Sequence, residues 1–266
     1  MKFQAHYLTD VGRTRSHNED FAHSDPEAGL LVVADGMGGH GAGEVASELA
    51  TNAVVGAIGR FVSGEEPAPV AEAVEPAVDD EERTVQAMPN PVIQVVNQAV
   101  SEANQAVYNE NKSSGFADGI GMGTTLVGLW RLGSLREVAL FQVGDSRIYL
   151  FRDGKLLLLT RDHTAYQEWE RNGRTGPAPP GNLILRAVGL FPEVKADVRI
   201  QSVHPGDVFL LCSDGLTAML DDGEIENYVR EGSEDPQELN ARLVSAANAR
   251  GGHDNITVIT ARFDAA

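Results

Sequence analysis

Four apolar runs in this chain meet an aspartate at one end, and no other feature constrains its fold as tightly. They are Leu30-Leu31-Val32-Val33-Ala34-Asp35-Gly36, Ala139-Leu140-Phe141-Gln142-Val143-Gly144-Asp145-Ser146, Val208-Phe209-Leu210-Leu211-Cys212-Ser213-Asp214-Gly215 and, with the order reversed, Asp254-Asn255-Ile256-Thr257-Val258-Ile259. Each reads as a buried strand with a carboxylate at its tip. One such aspartate is an ordinary turn former or helix cap. Four of them converge if the strands share a sheet edge, and crowded like charges repel unless a cation sits between them. The pattern therefore implies a metal centre.

Bulk properties narrow the class. The chain has 266 residues, 42% of them hydrophobic, enough for one large domain or two small ones. No apolar stretch is long enough to span a bilayer, and Met1-Lys2-Phe3-Gln4-Ala5-His6 lacks the apolar core of a secretion signal. The single cysteine, Cys212, excludes a disulfide within the chain, so a reducing, cytoplasmic home is expected. A net charge of −18 argues against nucleic acid or an anionic membrane as the main partner. Much of that charge is local: Gly64 to Glu82 carries eight acids and no base.

Strands are expected at Phe3–Val11, Gly29–Ala34, Met122–Leu132, Glu137–Val143, Arg147–Arg152, Leu156–Leu159, Ala196–Val203, Val208–Cys212 and Asn255–Phe263. Helices are expected over 41–61, with Val45, Leu49, Ala53, Ala57 and Phe61 at helical spacing, and over 92–111, 162–172, 222–230 and 236–249. The Pro-, Ala- and Glu-rich stretch at about 63–91 reads as a solvated, mobile insertion. This order suits an α+β fold, two antiparallel β-sheets flanked by helix pairs, better than a βαβ alternation.

Gly36-Met37-Gly38-Gly39-His40-Gly41 matches a dinucleotide-binding turn. Asp35, however, would set its charge against a pyrophosphate, and no second strand with an acidic tip follows at the required distance. The remaining chemistry clusters near the same strand tips. In Arg15-Ser16-His17-Asn18-Glu19-Asp20, Glu19 and Asp20 point in opposite directions if extended, so one could meet a metal directly and the other through water. Arg15 offers a planar fork suited to phosphate, or else forms a surface ion pair with its neighbours. All candidate ligands are oxygens, which selects Mg²⁺ or Mn²⁺ over zinc. His40, His163 and His253 each lie beside a motif, as catalytic or as structural groups.

Taken in order, Arg15…Asn18-Glu19-Asp20, Asp35-Gly36-Met37-Gly38-Gly39-His40, Gly121-Met122-Gly123-Thr124-Thr125, Val143-Gly144-Asp145-Ser146-Arg147, Asp162-His163-Thr164, Ser213-Asp214-Gly215-Leu216-Thr217 and Asp254-Asn255-Ile256-Thr257-Val258 resemble the motifs of the metal-dependent protein serine/threonine phosphatases of type 2C, above all the short bacterial members. The resemblance covers nearly the whole chain except the acidic insertion. It implies one phosphatase domain over 1–266, folded as a four-layer αββα sandwich, with a short flap at about 162–185.

The resemblance also implies roles for single residues. Asp35 bridges two Mn²⁺ or Mg²⁺ ions, with the Gly36 carbonyl completing one of them. Asp214 and Asp254 hold the first ion, Glu19 the second, and Asp20 orients a metal-bound water. Arg15 grips the phosphate, and Asp145 joins Asp214 at a third, weaker ion. Thr124 and Thr125 support the sheet. The implied reaction is hydrolysis of phosphoserine or phosphothreonine by direct attack of a bridging water, opposing a cognate serine/threonine kinase, in a monomer. Relatives from eukaryotes carry His directly after the Asp-Gly pair where this chain has Met37, which leaves His40 or a metal-bound water as proton donor. Ala218 stands where some relatives add another acid to the third ion. A catalytically inactive binding module is the alternative reading.

Overall fold

The computed structural model describes residues 1–39, 42–66, 90–133 and 136–265. His40 and most of the acidic insertion lie outside the described residues. Among the described residues, eleven strands are distributed over two antiparallel sheets. The first has the order β1 (Lys2–Asp10), β11 (Ile256–Asp264), β10 (Val208–Cys212), β7 (Arg147–Arg152), β8 (Lys155–Leu158). The second has the order β2 (Asp20–Asp25), β3 (Leu30–Met37), β5 (Leu126–Arg131), β6 (Glu137–Val143), β9 (Asp197–Ser202), with the short β4 (Gly123–Thr124) on the end of β3. The antiparallel register rules out the parallel βαβ unit that a dinucleotide-binding turn requires.

Continuous apolar runs such as Leu30–Ala34 are explained by burial on both faces. Leu31, Val33, Leu129, Leu140, Phe209, Leu211 and Ile259 fill the space between the sheets. Leu30, Val32 and Ala34 turn outward under α1 (Ala42–Ser63) and α2 (Pro91–Ser113). Val208, Leu210 and Val258 turn outward under α5 (Asp222–Gly232) and α6 (Pro236–Ala249). Each Leu or Val so buried contributes about 1.5–3 kcal/mol, and the result is the four-layer αββα sandwich. Asn90 caps α2 ahead of Pro91, and Asp221 with Glu224 forms a capping box on α5, so these boundaries are set by side chains.

Three expectations need correction. The face of α1 that packs on the sheet is Gly43, Ala46, Ser47, Ala50, Val54, Ala57 and Ile58, one position round from the expected stripe; Val45 is exposed. Small residues let the helix approach β3, and Leu49 and Phe61 cover the margin. The helix expected over 162–172 shrinks to α3 (Ala165–Arg171), because Thr164 caps it and the three residues before it are committed to bonds elsewhere. Strand β2 was not anticipated: Asp20-Phe21-Ala22-His23-Ser24-Asp25 lacks β-branched residues and is an edge strand held by its partner β3.

Candidate metal centre

The aspartates belong to both sheets rather than to one edge, and they meet at one end of the sandwich. Asp35 lies inside β3, which continues to Met37, and pairs in register with Asp20 at the start of β2. Asp145 follows β6, Asp214 opens the short α4 (Asp214–Thr217) after β10, and Asp254 precedes β11. The adjacent strands β10 and β11 bring Asp214 and Asp254 together, because Cys212 pairs with Val258 and Ser213 N–H donates to Thr257 O at 3.0 Å.

Local bonds fix each acid. Ser213 Oγ donates to Asp20 Oδ2 at 2.7 Å. Asp35 N–H donates to Thr125 Oγ1 at 3.0 Å, and the Asp35 carbonyl accepts from Thr124 Oγ1 and Thr125 N, both at 2.9 Å. Thr125 Oγ1 is also 2.7 Å from Ser146 Oγ, which ties the Asp35 strand to the Asp145 loop. Glu19 Oε1 accepts from Gly43 N at 3.2 Å, where the N-terminal dipole of α1 favours a carboxylate. A side chain at Gly36 is impossible: its Cβ would lie 2.0 Å from the Gly43 carbonyl and 2.6 Å from that of Glu19. Asp254 Oδ2 accepts from Arg15 Nη2 at 2.7 Å, with half of the Arg15 side chain exposed at the rim.

The acids perturb one another. Asp35 is pushed well above the carboxylate range by burial and by Asp20, Asp214, Asp145 and Asp254. Burial pushes Asp20 up to about 7, against hydrogen bonds from Thr257 and Ser213. Asp145 rises to about 7 through burial and the nearby Asp214 and Asp162. Burial and Asp254 raise Asp214, which is relieved by a hydrogen bond with Asp35. Among the described residues no three of these groups form a metal-ligand cluster in this arrangement. The carboxylate oxygens Asp20 Oδ1 and Asp145 Oδ1 are buried and have no hydrogen-bond partner among the described residues. An all-oxygen set short of positive charge, with unpartnered buried oxygens, fits hard divalent cations.

The stretch expected as a flap begins at Asp162, which is tied to the residues around Asp145. Arg147 forms a forked bond to Asp162, with Nη2 2.7 Å and Nε 3.0 Å from its carboxylate, and its Nη1 donates to Tyr149 Oη at 3.1 Å. His163 is buried, and burial holds its imidazole below the ordinary value against the pull of Asp197. Ser213, Ser146 and Gln142 were not singled out from the sequence. Ser213 and Ser146 do adjoin motif acids, which is the only signal that marked them.

Comparison with known proteins decides the family. A family model described as Protein phosphatase 2C matches residues 12–248. The chain belongs to the protein phosphatase 2C family. It is 35% identical over 264 residues to the serine/threonine phosphatase stp of Listeria welshimeri, covering 96% of this chain and 94% of that one. The crystal structure of the Mycobacterium tuberculosis serine/threonine phosphatase PstP superposes with a TM-score of 0.78 at 31% identity, covering 99% of both chains. A structure of the PstP catalytic domain in complex with 2 manganese ions gives a TM-score of 0.76 at 31% identity, again over 99% of both. This 2C phosphatase is therefore a metal-dependent enzyme that acts on phosphoproteins, the products of serine/threonine kinases. No helix among the described residues is long and apolar enough to cross a membrane.

Proposed function

We propose that this phosphatase hydrolyses phosphoserine and phosphothreonine at a two-ion centre built on Asp35, with Mn²⁺ or Mg²⁺ as the resident metal. The observation that carries this reading is the position of Asp35, which lies in the combined field of Asp20, Asp145, Asp214 and Asp254. In this reading Asp35, with the Gly36 carbonyl, would serve both ions, Asp214 and Asp254 would help to hold the first and Glu19 the second. Asp20, steadied by Ser213, would orient water, and Asp145 with Asp214 would hold a third, weaker ion. When bound, the ions supply a water nucleophile at neutral pH and draw charge off the phosphoryl oxygens.

The protein's own part is positioning. Arg15 leaves Asp254 to place its fork on two phosphoryl oxygens, a contact made in the ground and transition states alike. The exposed rim admits a side chain presented by a protein surface. Met37 cannot donate a proton, and His40 lies outside the described residues. The leaving oxygen therefore takes its proton from water or from His40. We further assign the chain to one catalytic unit over 1–266, monomeric, cytoplasmic, free of nucleic acid and opposed by a cognate serine/threonine kinase. Hydrolysis of an aryl phosphate and of a phosphopeptide should vanish in chelator and return with added Mn²⁺. Full activity in excess chelator contradicts the two-ion centre.

A further inference from the structure

We infer that His163 is a positioning residue for Asp145, acting through the backbone of Gly144, and that it thereby couples the flap to the weaker metal site. The inference rests on the reading of Asp145 as a metal ligand. It starts from a weakness in the sequence. Asp145 follows a glycine whose φ of +100° suits no other residue, and a Cβ there would sit 2.7 Å from Thr125 Cβ. A glycine is the residue least able to hold its own conformation, so external bonds must fix the direction in which Asp145 leaves it.

His163 supplies two of these bonds. Gly144 N–H donates to His163 Nδ1 at 3.0 Å, and His163 N–H donates back to Gly144 O at 3.0 Å. Gln142 Nε2 donates to the Gly144 and Ser146 carbonyls, both at 3.2 Å, so the residues on each side of Asp145 are held. Asp145 itself adds only a bond to its own backbone, and its Oδ1 is buried with no partner among the described residues.

The tautomer follows from these contacts. Nδ1 accepts, so the ring proton is on Nε2, which faces Asp197 Oδ2 at 3.3 Å. Arg186 Nη1 lies 3.1 Å from the same nitrogen, but it donates to Asp197 Oδ1 at 2.8 Å and Lys195 O at 3.1 Å. The imidazole is thus wedged between the first residue of β9 and the peptide of Gly144. The two residues before it bond to the same loop: Arg161 N–H donates to Gln142 Oε1 at 3.1 Å, and Asp162 receives the fork of Arg147. Three successive residues at the root of the flap are bound to the segment that carries Asp145, so a displacement of the flap is passed to that carboxylate.

The test compares His163→Leu with His163→Asn, whose Oδ1 can replace Nδ1 as the acceptor for Gly144. His163→Leu should fold, as thermal melting will show, but lose hydrogen-exchange protection at the Gly144 amide. Its Mn²⁺ requirement for phosphopeptide hydrolysis should rise about tenfold, the low end expected for a group one step removed from a metal ligand. Calorimetry should still find the tight ions bound. His163→Asn should restore both the protection and most of the metal affinity, and His163→Leu combined with Asp145→Ala should be no worse than Asp145→Ala alone. Unchanged Gly144 protection in His163→Leu, or His163→Asn no better than His163→Leu, overturns the inference. Asp145→Ala measured alongside separates the two possible failures. If it keeps the parent's metal requirement, the ligand reading of Asp145 is wrong. If it shifts while His163→Leu does not, the positioning role is wrong.

Discussion

The inner acids and the outer rim of this site are built on opposite principles. Asp20 and Asp145 are buried, Asp35 and Asp214 lie half-buried beside them, and all four carboxyls are raised by burial and by neighbouring acids. They are held by Ser213, Thr125 and the Gly144 peptide, so they cannot separate to relieve the repulsion. At the rim, Arg15 and Asp254 form an ion pair with side chains 50% and 36% exposed, which solvent screens and water can replace. The inner group stores a need for positive charge, whereas the rim is free to exchange partners. Metal binding requires the first property, and substrate binding the second.

The largest expected effect comes from removing the central charge. Asp35→Asn should lower kcat about 10³-fold or more, because the proposed two-ion centre would lose the ligand common to both ions. The metal-free variant should melt above the metal-free parent, since a repelling charge is gone. Near-parental turnover would mean that the acids are not a metal site, and a lower melting temperature would mean that their crowding is not a strain.

A second effect concerns pH in the metal-free protein. Asp20 and Asp145 are raised to about 7, above the value of about 3.9 in an unfolded chain, so the folded state keeps protons that the unfolded state releases. Stability from these groups is full below about pH 4, declines as pH rises and is lost by about pH 7. The melting temperature of Asp20→Asn should therefore match the parent near pH 4 and exceed it by about 5 °C at pH 7.5. A difference that shrinks as pH rises would reverse the sign and break the contrast.

At the rim, Arg15→Ala should raise KM and lower kcat for a phosphopeptide, together about 10–100-fold in kcat/KM, with Arg15→Lys recovering part of the loss. The melting temperature should hardly move, because a half-exposed pair contributes little. Parental kinetics in both variants would make Arg15 only a surface ion pair. The smallest effect is expected from the acidic insertion. Helix α1 starts beside Glu19 and runs 22 residues, which puts Ser63 about 33 Å away. Replacing residues 64–82 with a short Gly/Ser linker should leave aryl phosphate hydrolysis within about twofold, because the segment follows a helix end that far from Glu19, and salt screens charge beyond about 8–10 Å. A large loss with the fold intact would show that this segment reaches the site.

The sandwich was legible because β3, β6, β10 and β11 are buried on both faces and so appear as apolar runs that meet an acid at one end. The exceptions had physical causes. β2 carries no apolar pattern of its own and exists as a partner to β3, and α1 is apolar around enough of its surface that periodicity alone pointed to the wrong face. The acids could be named from their motifs, but the groups that aim them could not. Ser213 reaches Asp20 across 193 positions, Thr125 reaches Asp35 across 90, and His163 acts on Asp145 through a glycine peptide 19 positions away. No local spacing encodes such contacts, since they arise only when distant segments are brought together, within one sheet for Thr125 and Asp35 and between the two sheets for Ser213 and Asp20.

The most direct test of the contrast between inner acids and rim is a calorimetric titration of Mn²⁺ into metal-free protein at pH 6, run in buffers of different ionisation enthalpy. The expected result is two tightly bound ions with protons released to the buffer, because burial and the neighbouring acids favour the protonated forms of Asp35 and of Asp20, which is raised to about 7, until the ions replace those protons. Arg15→Ala should leave this proton release unchanged, and Asp35→Asn should abolish tight binding. Tight binding without proton release, or two tight ions retained in Asp35→Asn, would contradict the claim that these crowded acids form the metal site.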